Sequence, residues 1–572
     1  MKHIQSNSSP ATLAPLTRAL RQLLVAVPLA AAAPAVLAQA TLPPVPDAGR
    51  ILQELATPPG LPTRSGSPLR IEPPAGVRAA AGGAAVELQG ASFSGNTVLD
   101  DATLAAAVGD LRGRRFDLAG LQALTERVVA AYRERGFPFV RVFLPEQRLE
   151  DGTLRITVLE GRYGRVEPQA DQDWMIDGAR PFLAPLQTGA LIDAHTLERV
   201  VLLLEDQPGI HVVPTIRPGA AAGQGDLNVR VERDSRASGE IGLDNAGSRF
   251  TGRARAYATV ALDSPFTFGD RLVMRALATD ERLFLGGLDY ERPLGGSGLR
   301  GLVGAARTSY RLAGPYAALD ANGIADVLTM RVSYPIVRTQ LANLAISAGV
   351  VRKSLEDRAD AVGDVRQRAS TAVPVTLQFD RRDTLAGGGV TWGVLAWTPG
   401  RLSIDEPQRS VDAATAATAG SFHRLNLDLA RVQRLGGSLA FYGRLSTQWA
   451  DRNLDSSEGF ALGGIYGVRG YPPGEGLGAR GWLAQTELRW TGLGAATPYV
   501  FFDAGASRAN VRPWNEASGA RRELAAAGIG ARAALGAFSM DASLAWPVQG
   551  GAPTSDTRDT RPRLWVSVGY RF

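Results

Sequence analysis

The sequence predicts a mainly β protein: a sixteen-stranded antiparallel barrel crossing a lipid bilayer, preceded by two α/β modules and a short N-terminal helix. Three observations carry this expectation. An export leader is followed by no apolar stretch of ~20 residues, which leaves strands as the means of crossing a membrane. Apolar and polar residues alternate through positions 235–572. With 65 glycines, 45% hydrophobic residues, 21% charged residues and a mean hydropathy of −0.05, the chain is too polar for a helical membrane protein. It is also too apolar to be disordered and too glycine-rich for a helical bundle.

Along the chain, Lys2, His3, Arg18 and Arg21 precede the apolar run Leu23 to Leu37. The small residues Val36, Ala38 and Ala40 then complete the pattern of a signal peptide over 1–38. Lys2, Arg18 and Arg21 carry half of the formal net charge of +6, so the mature chain is not basic enough to suggest nucleic acid as a partner. Residues 39–84 hold a helical pattern over 47–55, with Asp47 as N-cap and Ile51, Leu52 and Leu55 on one face. So short a helix needs a host surface. From 56 to about 83, Pro58, Pro59, Pro62, Pro68, Pro73 and Pro74 leave no periodic segment and read as a linker.

A first β-α-α-β-β unit fills 85–161. Its strand ends at Phe93, Gly95-Asn96 turns, helices open at Asp100 and Asp117, Gly136 stops the second, and strands follow through Val140–Leu144 and Leu154–Val158. A second unit over 162–234 has a strand through Val166 and a helix from Asp193 carrying Leu197, Val200, Val201 and Leu204. After the turn Gln207-Pro208-Gly209 come strands around Ile210 to Ile216 and Leu227 to Val231.

Beyond 235 alternation takes over. Leu328, Met330, Val332 and Tyr334 oppose Thr329, Arg331 and Ser333, and Leu564, Val566, Val568, Tyr570 and Phe572 oppose Arg563, Ser567, Gly569 and Arg571. A soluble sandwich alternates too, so strand count decides. Sixteen candidate strands fit into 235–572 at about 21 residues each, of which ~10 suffice to cross a bilayer. A spanning sheet must close on itself, and a closed barrel of this size has a polar lumen wide enough for a chain unless something fills it.

The filler is the long connection 452–481, whose Val468-Arg469-Gly470-Tyr471 puts a guanidinium beside two apolar side chains at a glycine-rich tip. On the next strands, Glu487 has the polar parity. In Tyr499 to Gly505, Val500, Phe502 and Ala504 face lipid, which points Asp503 into the lumen. If the loop folds inward, Asp503 is a candidate partner for Arg469, a charge-assisted pair at a partly desolvated wall, of modest strength in a wet lumen.

These features, in this order, resemble the outer-membrane transporters of two-partner secretion: the TpsB family of ShlB/FhaC/HecB type, within the superfamily of POTRA-bearing barrels. Pro46 to Leu52 resembles the family's plug helix, and Phe93-Ser94-Gly95-Asn96 with Tyr132 and Gly136 resembles its first POTRA domain. Leu202-Leu203-Leu204 with Pro208-Gly209 resembles the second, Val468 to Tyr471 the inward-loop tip, and Phe501, Asp503 and Gly505 the barrel-wall motif. Phe572 resembles a barrel-insertion signal. The resemblance implies a protein of the Gram-negative outer membrane, with POTRA domains in the periplasm and a loop locked by Arg469 and Asp503. It further implies secretion, without ATP, of an unfolded haemolysin- or haemagglutinin-like TpsA exoprotein. Periplasmic chaperones and the barrel assembly machinery are expected partners, the state a monomer, and a cofactor none.

Two rival classes remain. An assembly factor for other outer-membrane barrels commonly has more POTRA domains or lacks a plug helix, and a diffusion porin has no use for periplasmic modules. No catalytic or metal site is expected. Cysteine is absent, and all but Lys2 and Lys353 of the 62 basic residues are arginine, neither lysine sitting in a phosphate-binding loop. His3, His195, His211 and His423 lie in unrelated segments. The letters Gly476-x-Gly478-x-x-Gly481 match a dinucleotide motif but lie in the long loop, with no strand before or helix after.

Overall fold

The computed structural model describes residues 45–62, 70–71, 82 and 84–572. The expected signal peptide and much of the proline-rich linker lie outside these residues. Helix α1 (Ala48–Glu54) opens at Asp47, whose side chain accepts from the backbone N–H of Arg50 at 2.8 Å, satisfying an otherwise orphan donor. The linker holds one strand that the proline pattern concealed, β1 (Arg70–Ile71).

In the first module, strands β2 (Val86–Leu88) and β3 (Gly90–Ser94) are followed by helix α2 (Asp101–Val108), β4 (Arg114–Phe116), helix α3 (Leu118–Glu134), β5 (Arg141–Phe143) and β6 (Thr153–Leu159). Asp100 and Asp117 cap the two helices through Thr103 N and Gly120 N, both at 2.8 Å. Leu104, Leu124, Val128, Tyr132 and Ile156 form the core, each fully buried aliphatic side chain contributing about 1.5–3 kcal/mol. Glu160 binds this core to the turn after β3. It accepts from Thr97 N at 2.6 Å, Val98 N at 2.8 Å, Tyr132 Oη at 2.9 Å and the Thr97 hydroxyl. Burial opposes its charge, but these donors prevail and hold the carboxyl below the usual glutamate range, while burial and the neighbouring carboxylate push the Tyr132 hydroxyl up.

The second module comprises β7 (Arg162–Gln169), helices α4 (Asp173–Leu183) and α5 (Ala194–Glu205), β8 (Ile210–Pro218) and β9 (Gln224–Arg233). Helix α4 corrects the sequence reading, which has one helix here. Gln172 makes no side-chain cap and Pro181 lies inside the helix, so both boundary signals are missing although Met175, Ala179, Phe182 and Leu183 line the buried face. The sheet runs β1-β8-β9-β7, with the linker strand lying parallel to β8 through Arg70–Thr215 and Ile71–Ile216.

The barrel runs from Ala237–Asp244 to Arg563–Arg571, which pair antiparallel through Glu240–Arg571 to Asp244–Ser567 and close the wall. Asp364–Ala372 and Val375–Asp383 lie end to end, interrupted at Pro374, and both pair with Ala342–Ala359 and with Gly389–Ile404. The seventeen segments therefore make sixteen strands, the even number that antiparallel closure requires. Exposed apolar side chains such as Val500, Phe502, Leu425 and Leu445 face outward. Trp397, Trp449, Trp482 and Trp546 stand near one rim, and Trp490, Phe538 and Tyr570 near the other, where amphipathic rings suit a membrane interface.

Two neighbouring strands, Ala321–Arg338 and Ala342–Ala359, have 18 residues each, far more than ~10 needed to cross. At one end of this hairpin Arg338 forks onto Asp206 of the second module with two contacts of 2.6 Å, and Arg199 of α5 donates to Pro335 O at 2.8 Å. At the other end Asp357 meets α1.

Candidate functional site

Helix α1 sits inside the barrel, packed through Ala48 and Ile51, with Leu52 and Leu55, against Phe250, Leu283, Tyr310 and Leu355. Seven residues form no stable helix by themselves, so this wall is its host surface. Its N-terminus is held by charge. Arg368 of the wall lies 2.5 Å from Asp455, 2.6 Å from Asp357 and 3.1 Å from Asp47. Asp357 also accepts from Ala48 N at 2.8 Å and from the Tyr310 hydroxyl.

The same helix touches the stem of the loop between strands Leu439–Ala450 and Arg480–Trp490. Ser456 Oγ donates to Asp47, and Gln53 Nε2 donates to Ser457 O at 2.6 Å. A Cβ on Gly49 would stand 2.3 Å from Ser456 Oγ, so helix and stem meet where only glycine fits. Lys353 fixes the stem from the wall, through Glu458 at 2.8 Å and Ser457 O at 2.6 Å.

Beyond the stem the loop turns inward and lays its tip on the wall. Arg469 Nε and Nη2 donate to the two oxygens of Asp503, each at 2.7 Å, and its backbone N–H donates to Asp503 at 3.1 Å. Arg469 Nη1 donates to Glu487 at 2.8 Å. The guanidinium lies 3.6 Å from the centroid of Phe501, a close cation–π stack, and Trp565 Nε1 donates to Arg469 O at 2.8 Å. Glu487 is shared with Arg489 and Arg532 at 2.7 and 2.8 Å, and Arg532 continues to Asp541 at 2.7 Å. Three cations thus face three carboxylates.

Of the other sequence-singled residues, Val468 and Tyr471 are buried with Leu462, Leu483 and Leu524, and the Tyr471 hydroxyl donates to Gln549 O at 2.8 Å. A Cβ on Gly470 would come 2.8 Å from that of Ala526, and one on Gly505 would come 2.5 Å from Leu462. Phe501 occupies the space over Gly528 on the next strand, where a Cβ would lie 2.3 Å from the ring. Phe572 stands apart: 54% exposed, it faces outward beside Tyr570 and exchanges backbone hydrogen bonds with Gly239.

The surroundings of the pair differ from the expected wet lumen. Arg469 is 4% exposed, Glu487 3% and Asp503 0%, because the apolar tip residues and Phe501 exclude water. A fork–fork contact there is far stronger than an exposed one, and its loss leaves a buried charge. Sequence reasoning also missed Arg368, Lys353, Arg532 and Glu475. Glu475 is fully buried and accepts from Thr554 N, Ser555 N and Arg522, anchoring the loop's returning arm. Among the described residues no group of His, Asp and Glu side chains could hold a metal ion.

A closed barrel filled by a helix and an inward loop, and preceded by two α/β modules, has counterparts among known proteins. Residues 223–533 match the profile of the haemolysin secretion/activation proteins ShlB/FhaC/HecB, and residues 86–161 that of the ShlB-type POTRA domain. The chain belongs to the ShlB/FhaC/HecB family. The heme/hemopexin transporter protein HuxB of Haemophilus influenzae is 25% identical over 474 residues, 80% of this chain and 82% of that one. The structure of CdiB from Escherichia coli superposes with a TM-score of 0.67 at 19% identity, covering 91% of this chain and 95% of that one. BamA from Haemophilus ducreyi lacking POTRA domains 1–3 gives 0.51 at 14% identity, covering 85% and 100%, a likeness of fold alone. Members of this family are transporters, and this ShlB/FhaC/HecB protein secretes an exoprotein of the TpsA class through its barrel. It resides in the outer membrane of a Gram-negative bacterium with its POTRA domains in the periplasm.

Proposed function

We propose that the resting transporter is closed twice, by helix α1 in the lumen and by the loop tip locked at Arg469, and that secretion requires α1 to leave and the loop to rearrange. The observation that supports this most is the burial of Arg469 between Asp503 and Glu487. On this reading residues 39–84 are plug and linker, 85–161 and 162–234 the two POTRA domains, and 235–572 the barrel. Val468, Arg469, Gly470 and Tyr471 form the latch with Phe501, Asp503, Gly505 and Glu487. Asp47, Ile51, Leu52 and Leu55 seat the plug, and Phe572 serves insertion of the monomeric barrel by the assembly machinery after chaperone delivery.

The client, an unfolded haemolysin- or haemagglutinin-like chain, adds a strand to a POTRA sheet edge through main-chain hydrogen bonds. Strands β3, β5 and β7 end their sheets and offer such edges, whereas β1 already covers part of β8. Folding of the client outside the cell biases the exchange outward. Planar-bilayer recording tests the double closure: the intact chain flickers, deletion of residues 39–60 opens it, and a steadily conducting intact chain would refute the closure.

A further inference from the structure

After α1 the chain passes down the lumen without helix or strand, with Pro58, Pro59 and Pro62 holding it extended. The wall grips this segment at two main-chain carbonyls: Trp392 Nε1 donates to Pro59 O at 3.4 Å, and Arg382 Nη2 donates to Pro62 O at 3.1 Å. Neither contact reads a side chain. Beside the segment lies a cavity of about 440 Å³, also lined by Thr376, Gln378 and Asp380. These side chains can accept hydrogen bonds from backbone N–H groups that the prolines lack. Among the described residues Asp380 receives one donor, Asn343 Nδ2 at 3.0 Å, and has acceptor capacity to spare. Among the described residues neither Arg382 nor Arg331, which also lines the cavity, has a carboxylate partner.

We propose that this stretch of wall, Trp392 and Arg382 with Thr376, Gln378 and Asp380, is a binding site for an extended polypeptide in transit, occupied at rest by residues 59–62. Donors for carbonyls and acceptors for N–H groups suit any extended sequence, which a conduit for a long and varied chain needs. Four residues separate Glu54 from Pro59, a span of at most about 18 Å, so withdrawal of α1 from the lumen also vacates the site. The inference rests on the secretion function and adds to it a place where the chain is held.

A photoreactive benzoylphenylalanine at position 378 of the full-length protein in detergent tests the site, with a short uncharged peptide of Gly, Ser, Thr and Asn as probe. Without peptide, irradiation joins position 378 to residues 59–62. Added peptide suppresses that internal adduct and forms its own. Trp392→Phe, which keeps an aromatic ring and removes the Nε1–H donor, and Arg382→Gln each reduce the peptide adduct about threefold to tenfold. An internal adduct that persists at all peptide concentrations, or a peptide adduct unchanged by both variants, overturns the site. If Arg382→Gln fails to fold, the competition in the otherwise unaltered chain still decides. Secretion measured on the same variants separates the two readings, since an exporting chain with no peptide adduct refutes only the binding site.

Discussion

Replacing Arg469 by Ala removes three side-chain contacts of 2.7–2.8 Å and leaves Asp503, which is fully buried, without its countercharge. Glu487 retains Arg489 and Arg532, so the unbalanced charge falls on Asp503 alone. Breaking a buried pair in this way costs about 3–5 kcal/mol, a factor of roughly 10² to 10³ or more in the equilibrium between docked and undocked tip. Because the protein contains no cysteine, Val468→Cys introduces a unique thiol at a buried tip position. In the Arg469→Ala background, maleimide labelling of that thiol rises by about two orders of magnitude or more, if the docked tip is the protected state. The barrel still inserts and keeps its heat-modifiable gel mobility. Asp503→Ala alone frees the tip similarly. The double variant recovers part of the loss, since it leaves no unpaired buried charge, giving a coupling energy of about 2–3 kcal/mol. Additive effects of the two single substitutions, or labelling as slow as in the parent, would refute the latch.

Further outcomes follow from other contacts. Arg368→Gln leaves Asp47, Asp357 and Asp455 facing one another at the cap of α1, so single-channel recordings show longer openings than the parent, and unchanged gating would exclude Arg368 as the anchor. Removing Phe572 breaks its two backbone bonds with Gly239 at the closing seam and lowers the amount of inserted barrel, read by immunoblot of outer membranes. Glu160 has a folded pKa below its unfolded value, so its contribution is full above the ordinary glutamate range and is lost as pH falls through the depressed value. Hydrogen exchange at Thr97 and Val98 in the intact protein therefore accelerates on acidification relative to the intrinsic rate, and Glu160→Gln abolishes that added dependence.

Much of the architecture was legible because the physics is periodic. Sixteen strands emerged from a two-residue alternation that lipid on one side and water on the other impose, and the caps at Asp100, Asp117 and Asp193 emerged from local hydrogen bonding. Helix α4 was illegible since Pro181 and the uncapped Gln172 are local signals that point away from helix, overridden by burial of Phe182 and Leu183. Strand β1 owes its form to β8, more than 140 residues away, and no local pattern encodes it. At the site, the parity of Asp503 was readable from seven residues. The partners Arg368 and Asp47 are separated by more than 300 positions, and Lys353 and Glu458 by 105, so only the folded barrel brings them together.

The ring of Phe501 is seated on bare backbone at Gly528, on the strand next to the one that carries Asp503. A single methyl group there would lift the aromatic face on which the Arg469 guanidinium rests. A position without polarity, side chain or sequence motif thereby becomes a remote tuning screw for an electrostatic lock, and a variant survey confined to ionisable residues would pass over it.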